Sequence, residues 1–208
     1  EAKIILPNRV MEVYSDGILT AHIFQASGLN GTYIAGNDTI FNLHFVQLNW
    51  KGFINLQQSN KVYFHNIKIR HQIPASLTGT IVAASEENKQ ISIAVPSEFN
   101  PLVQALISNP KALRSWVEFD VNTKAPLQGG NFVVDGFNNY VISGDVTSGY
   151  TIQTNFKNAI NRSRNGSYVA MQFAQYDANG IAISQSSNIY LENVIMHHAA
   201  GMGLVSSQ

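Results

Sequence analysis

Short runs of alternating apolar and polar residues, separated by polar turns, follow one another along most of this chain. Alternation with a period of two is typical of half-buried β-strands. One segment, Pro101–Ser108, is predicted to be a helix, with Asn100 as its N-cap. The strands are predicted at Lys3–Leu6, Thr39–Leu48, Gly52–Leu56, Lys61–Ile69, Gly79–Ala84, Gln90–Val95, Trp116–Asp120, Asn131–Val134, Tyr140–Ser143, Ser167–Phe173, Gly180–Ser184 and Asn188–Met196.

Two stretches of the chain are copies of one another. Gly52–His71 aligns with Asn179–His198 without a gap, and the apolar residues of both fall on the same alternate positions. A coil of roughly 20 residues that stacks on the next coil is typical of a parallel β-helix. Both copies carry an Asn at the predicted corner, Asn66 or Asn193. Asn can adopt the left-handed backbone conformation there and hydrogen-bond to its copies in neighbouring coils.

The fold predicted from this repeat is all-β, a right-handed parallel β-helix with an inserted small, barrel-like β domain. The first coils are predicted in 1–71 and the insertion in 72–166, a proline-rich segment that does not follow the repeat. The β-helix is predicted to continue in 167–208, where we expect the chain to be truncated. The alternative is an antiparallel sandwich in which two hairpins resemble each other by chance.

Composition narrows the classes of function. Only 12% of the residues are charged, and 13 Lys and Arg balance 13 Asp and Glu. A nucleic-acid or membrane-surface partner is not expected, because both require a basic stripe and the sequence has none. The chain has no Cys, which excludes disulfides, thiolate zinc sites and a cysteine nucleophile. The apolar fraction of 45% is enough to bury a core.

The second copy of the repeat leads into a stretch with a family resemblance. Ser187–Gly203, with Asn188, Asn193 and a closing Gly-Met-Gly, resembles glycoside hydrolase family 110, the exo-acting α-1,3-galactosidases. The order of an opening strand, early coils, an insertion and the Gly-Met-Gly coil is similar as well. The resemblance implies a right-handed parallel β-helix with an inserted barrel. It also implies that the catalytic carboxylates follow the Gly-Met-Gly turn, so this chain resembles the N-terminal part only.

The acidic residues show no obvious catalytic pair. Glycoside hydrolysis uses two carboxyl groups about 5 to 10 Å apart. Glu118 and Asp120 share one face of a predicted strand, and we interpret them as surface acids. Asp177 is a weak catalytic candidate because it leads directly into the second copy, although its Gly-containing surroundings favour a turn. The catalytic residues are otherwise unknown.

Candidate substrate-binding residues are histidines, arginines and one tyrosine. His197 and His198 close a predicted strand, where the alternative is a polar edge. Arg162 and Arg164 lie close together and are suited to bind an anionic sugar bidentately, or to keep a loop soluble. Tyr176 offers a ring on which a sugar can stack. No metal site and no cofactor are predicted, because no spacing of three convergent ligands occurs.

We therefore expect a carbohydrate-active protein, extracellular or periplasmic, whose partner is an oligo- or polysaccharide. The resemblance implies a glycoside hydrolase acting on terminal α-galactose or a related residue. Two alternatives remain: a non-catalytic glycan-binding or adhesion β-helix like a tailspike segment, and a polysaccharide lyase. Exposed strand edges near 206–208 are expected to be capped by a second chain or by further coils.

Overall fold

A computed structural model of the chain describes residues 2–14, 22–44, 48, 50–129, 132–137, 140–156, 164–173, 178–199 and 201–207, with the backbone alone for 132–137. The chain forms two compact units. The first comprises Glu1–Pro74 and Gln175–Gln208, and the second is Ala75–Ala174. The second unit overlaps the segment for which we predict an insertion.

The structure is mostly β, which confirms the all-β prediction, and the described residues include a short 3₁₀ turn and one α-helix, α1. The strands are β1 Ala2–Ile5, β2 Val10–Tyr14, β3 His22–Ser27, β4 Asn30–His44, β5 Gly52–Gln57, β6 Asn60–His71, β7 Ser76–Ser85, β8 Gln90–Val95, β9 Leu113–Phe119, β10 Phe132–Phe137, β11 Tyr140–Asp145, β12 Gly149–Asn155, β13 Tyr168–Gln172, β14 Ile181–Ser184, β15 Ser187–His197 and β16 Leu204–Ser207. The 3₁₀ turn is Ser97–Phe99, and α1 is Asn100–Ser108.

The helix lies where the sequence predicts it, but a different residue occupies its N-cap. Asn100 is the first helical residue, and Phe99 occupies the N-cap without a side-chain hydrogen bond. The prediction that Asn100 caps the helix is therefore wrong. The 3₁₀ turn that precedes α1 explains the difference, because it leads the backbone into helical geometry before Asn100 is reached.

The first unit contains two sheets in which all pairings are parallel. The five-stranded sheet has the order β1-β4-β6-β15, with β2 also on β4, and the four-stranded sheet has the order β16-β14-β5-β3. Three consecutive strand pairs, β3–β4, β5–β6 and β14–β15, cross from the smaller sheet to the larger one through a two-residue corner. The chain thus follows the same two-strand path three times.

The repeat seen in the sequence sets the register between neighbouring strands. Ile54 is the partner of Ile181, and Ile69 is the partner of Met196. These are the pairs that the alignment of the two copies predicts. At the corner between the sheets, the Gln58 amide donates to Gln185 at 3.3 Å, and both residues have a φ of 48°. Equivalent residues of successive copies therefore stack on one another, as predicted.

A second corner lies inside the long strands of the larger sheet. Asn66 and Asn193 are in the left-handed region, with φ of 55° and 51°, and the Asn193 amide donates to Asn66 at 2.6 Å. This confirms the predicted role of the corner asparagines. Because the backbone turns at Asn66, Phe64 and Ile67 are both buried although they are three residues apart. The strand therefore bends while its apolar side chains keep facing the core.

In the first unit, the apolar side chains of the middle strands are buried, whereas several of those on the edge strands are exposed. Phe64, Ile69 and Leu56 on the inner strands are buried. On the edge strands, Ile4 is 48% exposed and Leu204 is 52% exposed. The predicted capping of such edges by another chain or further coils stays a prediction.

The second unit is a seven-stranded antiparallel sheet with the order β10-β9-β13-β7-β8-β12-β11. A turn at 86–89 joins β7 to β8 as an antiparallel hairpin, as the sequence predicts. Its buried side chains are provided by strands and by α1, among them Leu77, Ile81, Ile91, Ile93, Leu102, Leu106, Trp116, Ile152, Val169 and Met171. Among the described residues, no helix is both long and apolar enough to cross a membrane.

Candidate functional site

The structure describes three of the six candidate residues. Tyr176, Asp177 and Arg162 lie outside the described residues, so their roles stay predictions. The other three lie in two different places. Arg164 is in the second unit, whereas His197 and His198 are in the first.

Arg164 is buried within the second unit, where it forms an ion pair. Its guanidinium bonds to the Glu118 carboxylate through a short contact, and its Nε donates to Glu86 at 3.1 Å. The ring of Phe156 lies 4.0 Å beneath it. Glu118 is 1% exposed, so our interpretation of it as a surface acid is wrong. This arrangement favours a structural role for Arg164, since its donors face protein carboxylates.

His197 and His198 lie at the end of the edge strand β15. His197 is the register partner of Arg70 on β6, and all three residues are exposed. The two imidazole rings are 6.4 Å apart between centroids. Partial desolvation lowers the pKa of His198, and the charges of His197 and Arg70 lower it further. A group of basic side chains therefore faces solvent at this strand end.

A column of tyrosines crosses the larger sheet on its solvent-facing side. Tyr33, Tyr63 and Tyr190 are register partners on three adjacent strands. The rings of Tyr63 and Tyr190 are stacked, with centroids 4.4 Å apart and planes inclined by 8°. Tyr190 lies on the edge strand and is 48% exposed. Next to it, Glu192 contacts His65 at 3.7 Å.

Sequence reasoning missed a second polar cluster on the same sheet. Glu12 on β2 accepts a hydrogen bond from Asn42 at 2.7 Å and shares a short hydrogen bond with His44. Tyr14 stacks on the His44 ring at 4.6 Å. The hydrogen bond to His44 lowers the pKa of Glu12, and Asn42 adds to this effect. The alternation of Val10–Tyr14 is the signal from which β2, and with it this cluster, could have been found.

Two further carboxylates and both tryptophans have structural roles. Asp120 accepts hydrogen bonds from the amides of Asn122 and Thr123, and Asp145 does the same for a second turn. Trp50 and Trp116 are buried. Within the described part of the chain, no three acidic, Cys or His side chains converge as metal ligands do. The exposed polar and aromatic side chains of the larger sheet therefore form the candidate site.

No known family model matches this sequence. No curated protein matches it significantly either. The candidate site is therefore judged by its chemistry alone. Around the tyrosine column that chemistry is paired hydrogen-bonding groups beside an exposed aromatic ring, which suits a polyhydroxylated ligand.

His71, behind the basic strand end, gives the first unit a pH dependence. His71 is fully buried, and burial lowers its pKa to about 4, with a further contribution from His198. In the unfolded chain a histidine titrates near pH 6.5. Between these values the unfolded state binds a proton that the folded state does not, so stability falls as the pH falls from about 6.5 to about 4.

We expect this effect to cost up to about 3 kcal/mol between pH 7 and pH 4. His71→Met should unfold with a weaker pH dependence over this range than the parent chain. The measurement is a series of urea titrations at pH 7.0, 5.5 and 4.0 on both proteins. Equal slopes of unfolding free energy against pH would show that His71 does not titrate as its burial requires.

Proposed function

We propose that this chain is part of a carbohydrate-active protein and that an oligo- or polysaccharide binds to the solvent-facing side of its five-stranded sheet. The observation that carries the proposal is the outer face of β15, where Tyr190 and Glu192 lie two residues apart beside His65. An aromatic ring packs on the C–H face of a sugar. Carboxylate and imidazole groups hydrogen-bond its hydroxyls.

The activity we propose is glycoside hydrolysis at terminal α-galactose or a related residue. It is supported by the resemblance of Ser187–Gly203 to the α-1,3-galactosidases. Such a reaction needs a carboxyl pair, and the described acids of the outer face, Glu12, Asp38 and Glu192, each contact a basic side chain of the protein instead. The proposed catalytic carboxylates are therefore outside the described residues, and the outer face serves binding.

The architecture we propose for the first unit is a right-handed parallel β-helix. Two observations support this proposal. Three strand pairs follow the same path between the two sheets, and matching residues of the two copies stack on one another. Crossover connections between parallel strands of one sheet are right-handed in the great majority of proteins. In such a helix every coil adds an outward row of side chains about 4.8 Å from the last, which forms an elongated surface for a sugar chain.

For the second unit we propose a barrel-like sheet. Its two outer strands, β10 and β11, are separated by only two residues in the chain. Three peptide units span at most about 11 Å. A flat seven-stranded sheet would place its outer strands about 29 Å apart. The sheet must therefore curl so that its two edges approach each other.

Replacing Tyr190 by Ala is expected to weaken saccharide binding about fivefold, since a stacked ring contributes about 1 kcal/mol. Binding is measured by calorimetry with an oligosaccharide that ends in α-1,3-linked galactose, followed by a panel of neutral and acidic polysaccharides. Tyr168→Ala is the matched control, because Tyr168 is an exposed tyrosine of the second unit whose ring is covered by Lys124. Equal effects of the two variants, or no binding to any saccharide, would overturn the proposal.

The products separate the three classes of carbohydrate-active protein. A hydrolase and a lyase both release reducing ends, only a lyase also forms an unsaturated sugar that absorbs in the ultraviolet, and a binding protein releases neither. The assay is done on the natural polypeptide with the polysaccharide that binds best. Release of a reducing galactose is the result we expect. The extracellular or periplasmic location stays a prediction.

A further inference from the structure

Three basic residues lie close together where β6 and β15 end. Arg70 and His197 are register partners on adjacent parallel strands, about 4.8 Å apart. His198 follows directly, with a φ of 60° that turns the chain away from the strand. All three residues are exposed. We refer to Arg70, His197 and His198 as the basic cluster.

The basic cluster has no carboxylate partner among the described residues. The carboxylates of the larger sheet contact other bases: Glu12 bonds to His44, and Glu192 lies 3.7 Å from His65. Asp38, at a corner, lies 3.7 Å from Lys68. These three acids are therefore engaged by other bases. Only 12% of the residues are charged, so three bases close together form a locally positive surface that can attract an anion.

We infer that the basic cluster binds the anionic group of an acidic saccharide, a carboxylate or a sulfate. The inference rests on the proposed function for the saccharide and adds the class of sugar. Arg70 supplies a planar fork of donors that matches an oxyanion, and two imidazoles add donors beside it. This is the role that the sequence suggested for Arg162 and Arg164, of which Arg164 is engaged by Glu118 and Glu86.

The electrostatics of His198 agree with this assignment. Apart from burial, the causes that lower its pKa are the positive charges of His197 and Arg70. The buried His71 also interacts with His198, and Asn42 is the register partner of Arg70 on the next strand. A bound oxyanion would relieve the repulsion among the three bases. An anion bound among these bases would therefore favour their charged forms.

The test compares tetragalacturonate with its methyl ester, which has the same sugars without the charge. We expect tetragalacturonate to bind about tenfold more tightly than the ester, with an affinity that falls as salt is added. Arg70→Gln should remove this preference. Arg9→Gln is the matched control, because Arg9 is an exposed arginine of the same unit outside the cluster.

The outcomes separate this inference from the proposed function. If both oligosaccharides bind equally and Arg70→Gln changes neither, the inference is overturned and saccharide binding stands. If neither binds, the proposed function fails for these sugars, and inorganic sulfate becomes the probe. A sulfate-dependent shift of the His197 and His198 ring signals in NMR that Arg70→Gln abolishes would support the anion site. The same shift in the Arg70→Gln variant, or no shift at all, would overturn it.

Discussion

Replacing Glu118 by Ala, or Arg164 by Met, is expected to lower the free energy of unfolding of the second unit by about 3 to 5 kcal/mol. Both side chains are 1% exposed, and the guanidinium bonds directly to the carboxylate. Each single substitution leaves the other charge inside the protein without its strongest partner. Water cannot compensate, because neither group reaches the surface. We expect this to be the largest single-residue effect in the second unit.

The two tryptophans make the effect measurable in one unit at a time. Trp116 is in the second unit and Trp50 in the first, so urea unfolding is followed by fluorescence in a Trp50→Phe background. Lys89→Ala is the control, since Lys89 pairs with Glu86 at the surface, where an ion pair contributes at most about 1 kcal/mol.

A double variant, Glu118→Met with Arg164→Met, distinguishes the loss of a partner from the loss of a favourable pair. Apolar residues of similar volume often replace a buried ion pair without loss of stability. We therefore expect the double variant to be more stable than either single variant. Single substitutions that cost no more than Lys89→Ala would contradict the structure of this pair.

Gly52→Ala is expected to destabilise the first unit by about 3 kcal/mol, the upper part of the range for overpacked cores. A Cβ atom at Gly52 would lie 2.0 Å from the backbone oxygen of Asn179 and 2.3 Å from the ring of His22. These residues flank Gly52 on either side, and the oxygen is backbone that cannot rotate away. The strands must separate or shift to make room.

The control for Gly52→Ala is Gly203→Ala in the same unit. No atom lies within 4 Å of a Cβ at Gly203, and its φ is not in the left-handed region. We expect a change within about 0.5 kcal/mol there. Unfolding is followed through Trp50 in a Trp116→Phe background. Equal stability of the two alanine variants would mean that the strands flanking Gly52 are not packed as closely as the structure places them.

The predictions from sequence are most accurate for features that the residues of a single coil encode. The alternation of Gly52–His71, its polar turn and Asn66 belong to neighbouring residues, and the second copy repeats them. Strand register follows, because stacking like residues keeps every apolar side chain inside. Strands with weaker alternation were missed. One of them is β12, Gly149–Asn155. Its Thr154 is buried and faces inward, and because Thr is polar it interrupts the alternation that predicts a strand.

What the sequence alone determined is therefore the all-β class, the repeat, the register of its two copies and the corner asparagines. Only the tertiary structure decided which charges meet. Glu118 and Arg164 are 46 residues apart, and Glu12 and His44 are 32 apart. No local pattern encodes such pairs, because sheet pairing brings together strands that are distant in the chain. The same pairing exposes Tyr190 and leaves Arg70 beside His197, and so places the candidate site on the outer face of the larger sheet.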